Sequence, residues 1–233
     1  MDDCAQPDGG AGGTSVKIRI LLALIGLGLL GTQAAIADDN LWFGAKGGTL
    51  GIGFESTWRP TPILDFRAGL NKYTYDTTAA EAGIDYDSEL DLNTFYATAN
   101  LRAPMSPFRL TAGIFSNKNE VKLVSRQAAT FDIGGMTYTS AEVGTLNAAV
   151  TFEKTAPYLG IGADFRIADT VGLNIDLGVL WQGTPIVGMT ASGPIALDPN
   201  FQAELAAETA QLQSALDNYK AYPVVSIGLS FNF

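Results

Sequence analysis

Asp85, Asp87, Glu89 and Asp91 recur at every second position, a spacing that puts four carboxylates on one face of an extended strand. Clustered carboxylates suit a hard divalent cation, which makes these four a weak metal-site candidate. They suit equally a neighbouring strand that carries Lys118 and Lys122, because a turn near 104–106 would set Glu89 opposite Lys122. A second charged set is scattered along the chain: Glu55, Asp65, Asp164 and Asp176 among the acids, Arg59, Arg67, Arg102, Arg109 and Arg166 among the bases. Brought together, they would either line a polar channel with some anion bias or neutralise one another as an interior network. Acid–base and nucleophilic chemistry has less to draw on. The sequence holds no histidine and a single cysteine, Cys4, while Ser116, Ser125 and Ser140 have no visible base partner. No glycine pattern precedes a helix as a phosphate loop requires. The expectation is a non-enzyme with no catalytic residue, no cofactor and no firm metal ligand.

Those charges must be positioned by strands, since apolar and small or polar residues alternate in segment after segment. Ile52, Phe54 and Trp58 oppose Gly53, Glu55 and Arg59; Phe66, Ala68 and Leu70 oppose Asp65, Arg67 and Gly69. The same holds for 93–103, 108–115, 159–166, 171–182 and 221–233. A soluble sandwich alternates too, but its polar face meets water and tends to be rich in Lys, Glu and Thr. Here that face is Gly, Asn, Thr, Arg and Asp, as a crowded interior requires, and the apolar face stays almost free of charge for about 8–11 residues, enough for a tilted strand to cross a bilayer. Short turns at 59–62, 103–107 and 167–170 alternate with long connections at 76–84, 126–146 and 184–220. The expected fold is all-β: an eight-stranded antiparallel transmembrane β-barrel with one helix in a long loop. Its first strand would climb over 40–46 to a turn at Gly47-Gly48. A barrel this narrow is filled by its own side chains, which favours the ion-pair network over the channel. The acidic run shares parity with lipid-facing residues lower in its strand, so it must stand above the membrane, and pairing is favoured there over metal.

Two long connections carry elements of their own. Residues 131–140 read as a hairpin around Gly134-Gly135. Asp198 as N-cap and Pro199 at N1 begin a helix over 199–219, with Phe201, Leu205, Leu212, Leu216 and Tyr219 as its apolar stripe. That stripe needs a partner, either the barrel mouth, as a lid, or the strand extensions. Trp42, Trp58, Trp181, Tyr222 and Phe108 fall near strand ends, where an aromatic girdle belongs.

The 233-residue chain has a net charge of −10, which argues against nucleic acid or anionic lipid as a partner. Lys17 and Arg19 precede an apolar run over 20–30, followed by Ala35 and Ala37 as a small-x-small cleavage site. Residues 1–37 therefore read as an N-terminal extension plus a cleaved signal peptide, and 38–233 as the barrel. The acidic, Gly-rich stretch 1–15 is a poor leader start, and translation is expected to begin near Val16.

The final strand places Phe231 and Phe233 on its apolar face, an ending that resembles the outer-membrane insertion signal of Gram-negative bacteria. With GTLGIGFE (48–55), IDYDSELDL (84–92), FRLTAGIFSNKNEV (108–121), APYLGIG (156–162) and YPVVSIGLSFNF (222–233), the chain resembles the small proteobacterial outer-membrane β-barrel proteins of undefined function, with OmpA-like and OmpW-like architecture. The resemblance implies outer-membrane location, lipid as surroundings and the barrel-assembly machinery as a partner during biogenesis. It transfers no catalytic or ligand residue. The expected role is structural or surface-interacting, with an unidentified extracellular ligand as a candidate partner; the alternative is a narrow, porin-like pore or uptake channel for small solutes, gated by the loop helix.

Overall fold

Residues that alternate bulky-apolar with small-or-polar over ten or more positions gain most when the bulky face meets hydrocarbon and both strand edges find a neighbour. The computed structural model describes residues 40–81, 84–126 and 130–232. Cys4, Ala35, Ala37, Phe233 and the side chain of Asp85 lie outside the described residues. The leading strands are β1 (Leu41–Gly48), β2 (Gly51–Thr61), β3 (Leu64–Glu81), β4 (Ile84–Arg102) and β5 (Phe108–Asn117). Next come β6 (Glu120–Ser125), the hairpin β7 (Thr130–Ile133) and β8 (Met136–Thr139), the short helix α1 (Ser140–Val143) and β9 (Leu146–Thr151). The chain ends with β10 (Thr155–Ala168), β11 (Val171–Trp181), β12 (Ile186–Ala191), helix α2 (Pro199–Leu216) and β13 (Ala221–Asn232).

Among the described residues, eight strands close on themselves in the order β1-β2-β3-β4-β5-β10-β11-β13, all antiparallel. Closure is made by β13, which pairs Leu229 with Ala45 of β1 on one side and with Leu173 of β11 on the other. The first turn lies at Thr49-Leu50, with Gly47 and Gly48 still in β1, not at the two glycines. Thr49 explains the shift: its backbone N–H donates to Val225 O at 2.9 Å, and its hydroxyl donates to Pro223 O and accepts from Val225 N–H, so strand-like bonding continues one residue further.

Glycines set the bore. A Cβ on Gly69 would overlap the Tyr96 hydroxyl, one on Gly160 or Gly178 the Tyr158 hydroxyl, and one on Gly162 the Arg109 guanidinium. Tyr96, Tyr158 and Arg109 thus lie across positions left bare on a neighbouring strand or, for Gly160, on the same strand.

Residues 76–81 and 84, expected in a long connection, belong to strands, because β3 and β4 pair without interruption from Leu64↔Leu101 to Glu81↔Ile84. At about 3.3 Å per residue, this 18-residue strand is about twice as long as a tilted bilayer crossing needs. Its upper part belongs to an extracellular head. There β4 leaves β5 and pairs with β6, β6 pairs with β9, and β9 with β12. Asn119 holds the branch point: its side-chain oxygen accepts the Asn93 backbone N–H at 2.9 Å, where β4 changes partner.

Helix α2 starts as its cap residue requires, Asp198 Oδ1 accepting from Asn200 N and Phe201 N at 2.8 and 3.2 Å. It packs on the head. Phe201 and Leu205 join Phe131, Ile133, Val143 and Leu146 in one buried cluster. The helix ends at Leu216, and Tyr219, assigned to its stripe, is exposed beyond it. Gln213 deals with the sheet edge: its side-chain oxygen accepts Val187 N–H at 3.0 Å and its amide donates to Pro185 O at 2.5 Å, so the side chain bonds as a further strand would.

Gly178→Ala should destabilise the barrel by about 1–3 kcal/mol through overpacking against Tyr158, and removing that ring in Gly178→Ala/Tyr158→Ala should relieve the overlap. Urea unfolding in lipid vesicles reads both; equal stability of Gly178→Ala and wild type would contradict the interlock.

Candidate functional site

The lumen is layered along its axis. Glu55 on β2 accepts from Arg67 at 3.2 Å and from the Tyr96 hydroxyl at 2.8 Å, with Lys46 Nζ at 3.3 Å. Asp65, fully buried, takes Arg67 at 3.4 Å, Arg102 at 3.2 Å and the Asn100 amide at 2.6 Å. Asp164 is the hub. Arg67 (2.9 Å), Arg109 (3.2 Å), Arg102 and the Asn174 amide (2.7 Å) all donate to it, and Arg59 stands 3.9 Å away. Arg109 Nη2 also lies 2.6 Å from Asp176 Oδ1, an ion pair by distance whose angle is too poor for a hydrogen bond. Of the nine lumen charges read from the sequence, eight therefore meet in one network. Arg166 stays outside it, exposed at the end where the short turns lie.

Toward the extracellular end the polar interior gives way to an apolar plug. Leu50, Phe115, Tyr158, Leu180 and Val224 pack together with Tyr96 and Ala156, and the Tyr96 and Phe115 rings stack at 4.8 Å. Tyr222 packs against this plug and donates its hydroxyl to Thr49 O at 2.6 Å, so it faces inward and is no part of a girdle. Trp42 also turns inward, buried, with the Arg59 guanidinium 4.7 Å from its ring centre. Trp58, Trp181 and Phe108 do point out. Between plug and network the cavity measures about 30 Å³, room for about one water.

The outer wall is the reverse. Phe43, Ile52, Phe54, Phe66, Leu70, Phe95, Leu110, Ile114, Ile161, Leu177, Val225 and Ile227 are all exposed. A contiguous apolar belt on a closed barrel is stable only in a bilayer. The chain is an outer-membrane β-barrel. No protein-family model matches the sequence, and no curated protein matches it. The solved structures similar in fold include two from Acinetobacter baumannii. CarO2 superposes with a TM-score of 0.55 at 21% identity over 83% of this chain and 98% of its own, and CarO with 0.52 at 23% over 82% and 97%. Identities this low fix the architecture and carry no activity across.

Above the barrel, register sets Glu89 opposite Lys122, whose Nζ lies 3.1 Å from Glu89 Oε1 and 3.5 Å from Glu120. The hydrogen bond to Glu89, reinforced by Glu120, pushes the Lys122 ammonium above its ordinary pKa. Lys118 takes no share in this pairing; its backbone N–H donates to Asn93 O. Asp87 instead meets Arg126, at 2.5 Å, a residue that spacing alone did not bring forward. That guanidinium's hydrogen bond holds the Asp87 carboxyl below its ordinary value. Hydrogen bonds from the Thr139 hydroxyl and backbone N–H hold the Glu142 carboxyl low as well. Among the described residues no three His, Cys, Asp or Glu side chains group closely enough to hold a metal ion.

Two outcomes follow from these partners. Asp164→Asn removes the charge shared by four arginines and should cost about 3–5 kcal/mol, because it leaves buried guanidiniums uncompensated; unfolding in vesicles no easier than wild type would refute the hub. In the head, carboxyls held low contribute stability that is present above the unfolded carboxylate pKa of about 4 and lost as pH falls through their lowered folded values. The Lys122 contribution runs the other way, present below about pH 10.4 and lost as pH rises through its raised value. Amide protection factors in β6 and β9 should therefore fall below about pH 4 while those of β10 and β11 hold; head amides indifferent to acid would contradict these pairings.

Proposed function

We propose that the chain is a closed, non-catalytic barrel that anchors its extracellular head at the cell surface, with a structural or surface-interaction role. The observation that carries this reading is the filled lumen: a cavity of only about 30 Å³ between an apolar plug and an ion-pair network supports a closed interior over a solute path. The lumen charges bond mainly to one another, which supports a packing role for them over acid–base catalysis. The head offers the area for contact, with the β6-β9-β12 sheet, the β7-β8 hairpin and α2 all outside the barrel and available to an extracellular ligand. The pore reading draws less support, since α2 makes its contacts on β12 and β7 and the obstruction is in the wall's own side chains. Residues 1–37 fit a leader removed on export. Phe231 and Phe233 fit a terminal strand read by the assembly machinery.

In planar bilayers the purified protein should give no discrete conductance steps, and deletion of 199–216 should give none either. Unitary steps from wild type that persist in the deletion would replace this reading with the pore.

A further inference from the structure

The end of the lumen that opens between the short turns gathers more positive charge than its carboxylates neutralise. Arg59, Arg67, Arg102, Arg109 and Arg166 face this part of the interior or its mouth, against Asp65, Asp164 and Asp176, while Lys46 pairs with Glu55 nearer the plug. Five cations meet three carboxylates. The surplus sits at the periplasmic mouth, around a pocket of about 230 Å³ lined by Trp42, Arg59, Arg102, Asp164, Arg166 and Ser230. Two polar atoms here are buried without a hydrogen-bond partner among the described residues, Arg59 Nε and Ser230 Oγ. Such groups cost free energy unless something accepts from them. Arg166 pairs with no carboxylate among the described residues and rests 5.7 Å from the Trp42 ring centre. Asp164 is the one carboxylate lining the pocket among the described residues, and its oxygens already accept from Arg67, Arg102, Arg109 and Asn174. Gly172 leaves room beside the Ser230 hydroxyl, since a Cβ there would stand 2.8 Å from Oγ.

We propose that this mouth binds a small oxyanion of the phosphate or phosphate-monoester class from the periplasmic side. The pocket is smaller than the roughly 300–1,000 Å³ of sites for drug-sized ligands, which suits an ion or a single headgroup. Two guanidiniums and a hydroxyl match oxyanion acceptors in number and type. Arg102 and the network behind it add field, and the Trp42 face walls one side and holds both arginines by cation–π contact. The ion pairs stand behind the site, and binding there requires no passage through the barrel.

The phosphoryl group could arrive as a free ion or on a lipid of the inner leaflet, and the test separates the two. Full-length protein in maltoside detergent and phosphate-free buffer is titrated with inorganic phosphate, then separately with a short-chain phosphatidic acid, a lipid phosphate monoester, against chloride at matched ionic strength. The thermal midpoint and tryptophan fluorescence should respond saturably to phosphate and not to chloride. Arg166→Gln, an exposed site whose loss leaves the interior intact, should weaken the response about tenfold; Ser230→Ala should weaken it several-fold. Heat-modifiable mobility on gels verifies that both variants still close. Response to the lipid alone keeps the chemistry and assigns its source to the leaflet. No saturable response in either arm, an equal response to chloride, or Arg166→Gln titrating as wild type does would overturn the site.

Discussion

A backbone amide in hydrocarbon has no water to bond, so each strand in the bilayer needs a neighbour along both edges. In this chain that requirement is met when β13 lies between β1 and β11, and the count at which the sheet closes, eight, fixes the bore. Everything inside then follows from narrowness. The largest inward rings lie over glycines, Tyr96 across Gly69 of the adjacent strand and Tyr158 across Gly178 of the adjacent strand and Gly160 of its own. Side chains that cannot be accommodated by an absent neighbour must bond to one another.

Charge inside such a tube is tolerated only in company. Removing a carboxylate or a guanidinium from water costs several kcal/mol, and a single ion pair seldom recovers it. Sharing alters the balance. Asp164 accepts from three guanidiniums and an amide, Asp65 from two guanidiniums and an amide, Glu55 from an arginine and a phenol, so each desolvated carboxylate has several donors. Arginine suits this arrangement, because its planar fork reaches two acceptors at once, as Arg67 reaches Glu55 and Asp164. In the head, Asp87–Arg126 and Glu89–Lys122 are solvated, about half-exposed pairs, screened by salt, and serve register more than stability.

Much of this architecture is legible in the residue order because a period of two is a backbone property. Strand count, the α2 cap at Asp198 and the hairpin at Gly134-Gly135 (both at positive φ) follow from it and from local turn chemistry. The Glu89–Lys122 register follows as well, from the position of one turn. What escaped depends on distant partners. Trp42 and Tyr222 occupy strand ends, as girdle residues do, yet their parity is luminal: Trp42 is drawn in by Arg59 and Arg166, Tyr222 by the plug and Thr49 O. The plug shares that origin. Parity alone puts Phe115, Leu180 and Val224 inside, but their residue type matches the lipid face, and only closure separates the two environments. The head sheet carried the weakest signal, since β6, β9 and β12 have six residues each and are paired by segments far apart in sequence.

The two ends of the lumen differ in a way that bears on everything the barrel can contact. At the extracellular end, packed rings and aliphatic side chains meet, and opening that end means breaking dispersion contacts and exposing apolar surface. At the periplasmic end, guanidiniums surround a tryptophan face, and the groups there gain by meeting an anion. A neutral solute finds no favourable step at either end. An anion finds one, from the periplasm, and is stopped at Asp164, where an arriving negative charge must compete with a carboxylate already fixed among its donors. The interior therefore presents two short chemical surfaces, one apolar and one cationic, joined by a middle layer in which carboxylates and guanidiniums bond to one another.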